Sequence, residues 1–124
     1  MGTSSRPGRF RKPFALAAAG LCLAAANAAH AATVQHVTVK MTEYRFRLST
    51  TRVHPGTVVF TVINKGQIPH DFSIQKLDKV SSLVQPGHKT TLRVTFKRTG
   101  TYYYLCTVGA HVQYGMYGNL HVKR

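Results

Sequence analysis

From Val34 onward the chain alternates apolar and polar residues with a period of two, the pattern of strands that bury one face and wet the other. Seven segments fit: Val34 to Lys40, Tyr44 to Ser49, Thr57 to Asn64, Asp71 to Leu77, Thr90 to Lys97, Gly100 to Cys106 and Asn119 to Lys123. In the second, Tyr44, Phe46 and Leu48 share a core face, while Arg45 and Arg47 share a solvent face. His54-Pro-Gly56 and Gln85-Pro-Gly87 punctuate the runs, each pairing a fixed φ with a residue free to take φ above zero. No helical period of useful length appears in this region, although Lys79 to Leu83 fits a short turn. The expected architecture is an all-β sandwich of about seven strands.

The first thirty-one residues break the pattern. Arg6, Arg9, Arg11 and Lys12 precede an apolar stretch from Phe14 to Ala26, and the small residues of Asn27-Ala-Ala-His-Ala-Ala32 follow. This is the three-part layout of a secretory signal peptide, with cleavage expected after Ala31. The stretch is shorter than the roughly 20 apolar residues that cross a bilayer. A lipid anchor at Cys22 fits less well, because Leu21 stands where a small residue is wanted. Arg9 and Arg11 are split by Phe10, which favours general secretion over a twin-arginine route. The chain thus divides into a signal peptide, 1–31, and one domain, 32–124, expected to reach the periplasm as a monomer with membrane contact at most through an uncleaved leader.

Export changes the meaning of the cysteine count. Of two cysteines only Cys106 lies in the 93-residue domain, so no internal disulfide can form there. A lone thiol in an oxidising compartment is a liability unless something occupies it. Charge adds a second constraint: thirteen Lys and Arg stand against Glu43, Asp71 and Asp78, a net of +10 with neutral histidines. Such a balance fits nucleic acid, a membrane surface or an acidic protein. Export and the scattering of single cations through strand-like segments argue against nucleic acid, leaving a generally basic surface or steering toward an acidic partner.

The chemistry gathers near the end of the chain. Cys106, His111 and Met116 are spaced Cys-x4-His-x4-Met, and a second imidazole, His70, stands in Ile68-Pro-His-Asp-Phe72. Taken singly, a buried Cys or Met is ordinary core filling and a histidine among seven is unremarkable. Together they matter, because Cys106 ends one strand, the loop after it carries His111 and Met116, and His70 opens a neighbouring strand that reaches the same end. Thiolate and thioether favour Cu(I) while imidazole suits both copper states, so this mixture points to one copper ion that cycles between them. His30, His36, His54, His88 and His121 show no comparable pattern.

These motifs resemble those of the cupredoxins, specifically the plastocyanin-like and rusticyanin- or auracyanin-like members, across essentially the whole of 32–124. The matching text is Val53 to Asn64, Gly66, Pro69-His-Asp-Phe72, Pro86-Gly87, Leu92 to Phe96, Gly100 to Tyr104 and Cys106 to Gly118. The resemblance implies a Greek-key β-sandwich with one type 1 copper held by His70, Cys106, His111 and, more weakly, Met116. It also implies that Asp71 hydrogen-bonds across to Thr107. The apolar residues Val108, Val112, Tyr114 and Tyr117, with Ile68 and Pro69, are expected to form a collar through which His111 presents its ring edge as the electron port. Asn64 either ties the approach to His70 or simply forms a turn before Lys65-Gly66. Relatives often read Pro-Gly-His before the second imidazole, whereas here Gly109-Ala110 precedes His111.

The function expected from this reading is single-electron transfer between redox proteins, a cytochrome or copper oxidoreductase with an acidic docking surface. Copper delivery or sequestration without redox turnover is the alternative, though 32–124 holds only Met41 and Met116. Catalysis fits least, because the four donors leave no open position and three carboxylates offer no acid and base pair.

Overall fold

The computed structural model describes residues 32–124 throughout and, before them, 1–3, 8, 13–15 and 20. The expected signal peptide therefore lies mostly outside the described residues. Among the described residues there are nine strands: β1 Gln35–Thr42, β2 Arg45–Leu48, β3 Arg52–Val53, β4 Gly56–Asn64, β5 Ser73–Ile74, β6 Lys79–Val80, β7 Lys89–Phe96, β8 Gly100–Leu105 and β9 Tyr117–Val122. They form a four-stranded sheet in the order β2-β1-β4-β7 and a five-stranded sheet in the order β3-β9-β8-β5-β6. The pairs β1·β4 and β3·β9 are parallel and the others antiparallel. Because the chain repeatedly leaves one sheet for the other, the result is the expected Greek-key sandwich.

Alternation sets what lies between the sheets. Val37, Val39 and Met41 of β1 and Val58, Phe60 and Val62 of β4 face Tyr102 and Tyr104 of β8 and Leu120 and Val122 of β9, all buried. Tyr44, Phe46 and Leu48 pack against this core while Arg45 and Arg47 stay exposed, as the period predicts. Phe72 ties the layers together: its ring centroid lies 5.4 Å from Phe46, 5.1 Å from Phe60 and 5.4 Å from Tyr104.

Two sequence expectations are corrected. Asp71 to Leu77 is not one strand: only Ser73–Ile74 pairs, a 3₁₀ turn follows at Gln75–Leu77, and Asp78 takes the left-handed region (φ 51°). The backbone groups are used elsewhere: the Phe72 amide donates to Ser81 Oγ at 3.0 Å, the Phe72 carbonyl accepts from the Ser81 amide at 2.8 Å, and the Asp78 amide closes the turn on the Gln75 carbonyl at 3.1 Å. The turn expected at Lys79 to Leu83 consequently falls upstream, and Lys79–Val80 pairs with β5. Strands of two residues, such as this one and Arg52–Val53, are too short for alternation to show.

Candidate metal centre

Four segments converge at one end of the sandwich. Cys106 follows directly on β8 and is fully buried, its amide donating to the carbonyl of Met116 at 3.1 Å. The loop between them closes on itself: His111–Tyr114 forms a 3₁₀ turn, Gly115 ends it in the left-handed region (φ 101°), and the Met116 amide returns to the carbonyl of His111 at 3.2 Å. Thus β9 begins at Tyr117, two residues before the sequence pattern placed it, and Met116 sits fully buried at its threshold.

His70 arrives from the other side, pinned by its backbone. It exchanges both amide–carbonyl bonds with Val84, at 3.2 and 2.8 Å. Asn64, buried at the end of β4, donates its side-chain amide to the carbonyls of Ile68 and Val84, both at 2.8 Å, and accepts from the Gly66 amide at 2.8 Å. Both readings of Asn64 hold at once: it makes the turn, and through Val84 it fixes the approach to His70.

The donors meet. His70 Nδ1 lies 3.2 Å from His111 Nδ1, which lies 3.5 Å from Cys106 Sγ, and ligand atoms of the three residues are all within 4.8 Å of one another. Burial pushes the Cys106 thiol above its ordinary value, opposed by the amides of Asp71 and Val108. Burial, and then the neighbouring His70, hold His111 below the usual imidazole value. A neutral imidazole is what a metal ion needs, and a metal ion would displace the thiol proton. Two nitrogens and a buried sulfur, with a buried thioether on the same loop, fit a copper ion by donor chemistry.

Asp71 sits where the resemblance implied. Its Oδ1 accepts from the Thr107 amide at 2.7 Å and its Oδ2 from the Thr107 hydroxyl, stapling the segment after His70 to the segment after Cys106.

Two residues of the site escaped sequence reasoning, and both lie in the turn between β1 and β2. Glu43 Oε1 accepts from the amides of Gln67 at 2.8 Å and Ile68 at 3.1 Å, and lies 3.1 Å from His70 Nε2. The Gln67 amide foremost, with His70 and the Ile68 amide, holds this carboxyl down at about 2. A carboxylate only accepts, so Nε2 carries the hydrogen and Nδ1 is left with its lone pair toward Cys106 and His111. Gly66 makes room for this contact, since a Cβ there would clash with the Glu43 carboxylate.

The next residue, Tyr44, takes φ 56°, a conformation costing a bulky L-residue about 1–2 kcal/mol. Its ring meets His111 edge-on at 5.1 Å and Tyr114 at 4.8 Å. One turn therefore steadies both imidazoles. A signal was available in the sequence: Glu43 is one of three acids in a chain with seventeen Lys and Arg, and it interrupts two alternating runs. The collar is half-buried at Val108, Val112, Ile68 and Pro69 and exposed at Tyr114, while the Tyr117 ring packs on Tyr103 at 5.5 Å.

The chain belongs to the cupredoxin-like family, whose domain matches residues 15–122. Among solved structures it is similar to auracyanin B, with 17% identity and a TM-score of 0.60 over 73% of this chain and 89% of that one. It is also similar to the dithionite-reduced auracyanin of Roseiflexus castenholzii, with 22% identity and a TM-score of 0.59 over 74% and 98%. An azurin from Methylomonas sp. strain J gives 14% identity and a TM-score of 0.58 over 73% and 98%. At these identities the likeness concerns the fold. No curated protein matches the sequence.

Proposed function

We propose that this chain is an exported type 1 copper protein that passes single electrons between redox proteins. The observation that carries the reading is the meeting of His70, Cys106 and His111 within 4.8 Å at one end of a cupredoxin sandwich. His70, Cys106, His111 and Met116 would hold the ion. When bound, copper supplies one-electron exchange between Cu(I) and Cu(II).

The protein's part is to keep its donors still. Glu43 orients His70, Tyr44 bears on His111, and Asp71 joins the two ligand segments through Thr107. These contacts constrain the donor side chains, which suits a site that must change oxidation state with little movement. His111 remains partly exposed at the sandwich end among half-buried apolar side chains, so a partner can approach its ring edge. Small interfaces of this kind suit brief redox encounters.

The four donors and the placement of the acids support transfer over catalysis. Glu43 and Asp71 are occupied in hydrogen bonds, and Asp78 sits in the left-handed turn before β6. A carrier surrenders its metal to an acceptor, whereas a shuttle retains it. Repeated reduction and reoxidation of the copper-loaded protein in the presence of a chelator separates the two: full retention supports a shuttle, and loss to the chelator within a few cycles supports delivery.

Asp71→Asn is expected to raise the midpoint potential by tens of millivolts, because a negative charge beside the site favours Cu(II). Voltammetry of the two proteins checks this, and an unchanged or lower potential counts against it.

A further inference from the structure

The outer face of the four-stranded sheet carries a feature that the copper reading leaves unused. A groove of about 400 Å³ is lined by Lys40, Thr42, Glu43, Arg45, Arg47 and Lys65. A second, of about 340 Å³, adjoins it and shares Lys40 and Arg47. All four cations are exposed, and Lys40 stands directly opposite Arg47 in the β1·β2 register. Like charges so placed oppose each other across the sheet.

Among the described residues no carboxylate pairs with them: the one ion pair within 4 Å joins Glu43 to His70. Glu43, the single acid of the groove, is already occupied by two amides and His70. Cations on an edge strand do guard against edge-to-edge pairing, which accounts for Arg45 and Arg47 on β2. That role does not reach Lys40, which lies on the inner strand β1, or Lys65, which lies beyond the end of β4.

We infer that this groove is the docking surface for an acidic protein partner, a stretch of several carboxylates lying across β1 and β2. The inference rests on the proposed electron-transfer function for the partner's identity as a redox protein, and it places that partner on the sheet flank as well as near His111. Charge complementarity selects the occupant. Four cations spread over two strands and a loop, with neighbouring strands about 4.8 Å apart, match a row of carboxylates better than a single small anion. The position matters because the Glu43 wall of the groove is bonded to His70, so a seated partner lies one residue from a proposed ligand.

The test is an NMR titration of the ¹⁵N-labelled protein with an octaglutamate peptide at low salt. Expected shifts centre on Lys40, Thr42, Arg45, Arg47 and Lys65, and Arg45→Glu with Arg47→Glu together weaken binding about tenfold or more. Lys97→Glu with Arg98→Glu, which changes net charge equally at another exposed site, changes it less than about twofold. Both pairs are exposed, and the dispersion of each spectrum reports folding directly.

Equal weakening by the two double variants would reduce the effect to diffuse charge and overturn the inference. Shifts centred on residues 108–114, no binding at all, or tighter binding to phosphatidylglycerol vesicles than to the peptide would also overturn it. Failure of the electron-transfer reading is distinguishable, because it shows as absent or irreversible redox behaviour with the peptide footprint unchanged.

Discussion

Replacing Phe72 with Ala is expected to lower the stability of the metal-free protein by about 3–5 kcal/mol. In a domain of this size that corresponds to a fall in Tm of roughly 15–30 °C. Phe72 is fully buried and touches Phe46 and Phe60 from one sheet and Tyr104 from the other, so its removal leaves a cavity that neither sheet can close alone. It also follows His70 and Asp71 directly, and loosening it frees the segment that presents the first imidazole. Denaturant unfolding of both proteins without metal measures the stability loss, and copper titration then measures the second effect. A loss under about 1 kcal/mol would mean that the two layers are held together elsewhere.

The second large effect is expected at Glu43. Glu43→Gln keeps the size of the side chain but replaces an acceptor that satisfies two amides and His70 with a neutral amide. The imidazole then loses the contact that fixes its tautomer, and copper affinity should fall by about 10- to 100-fold. Competition against a chelator of known affinity provides the number. Gly66→Ala offers an independent approach to the same contact, since the added methyl would displace the carboxylate without changing its charge. If both variants bind copper as tightly as the parent, Glu43 supports the loop at Gln67 and Ile68 alone.

Much of this arrangement was legible in the sequence because it depends on short-range pattern. Alternation placed β1, β2, β4 and β7 near their observed positions and set Phe46 and Leu48 on the core face of β2, and the spacing from Cys106 to Met116 announced a shared loop. Asp71 and Thr107 followed from family likeness and proved to be bonded. What stayed hidden depends on contacts between segments far apart in the chain. Glu43 reaches His70 across 27 positions, and no local pattern marks an acid that will accept from a distant imidazole. Tyr44 was assigned to a strand by its hydrophobic face. It does pack against the core, but its left-handed backbone in the turn between β1 and β2 also brings the ring onto His111 and Tyr114, which no local pattern marks.

The β5 region shows the same limit from another direction. Its residues have strand character, yet the Phe72 backbone pairs with Ser81 and the Asp78 amide turns back on the Gln75 carbonyl, so the ladder shrinks to two residues.

The sulfur of Cys106 and the nitrogens of His70 and His111 are expected to receive copper. Titration of the domain with Cu(II), followed by visible absorption, tests this most directly. The predicted result is an intense thiolate-to-copper band that saturates at one equivalent and is absent from Cys106→Ser. A protein that binds copper without such a band, or a band that survives in Cys106→Ser, would contradict it.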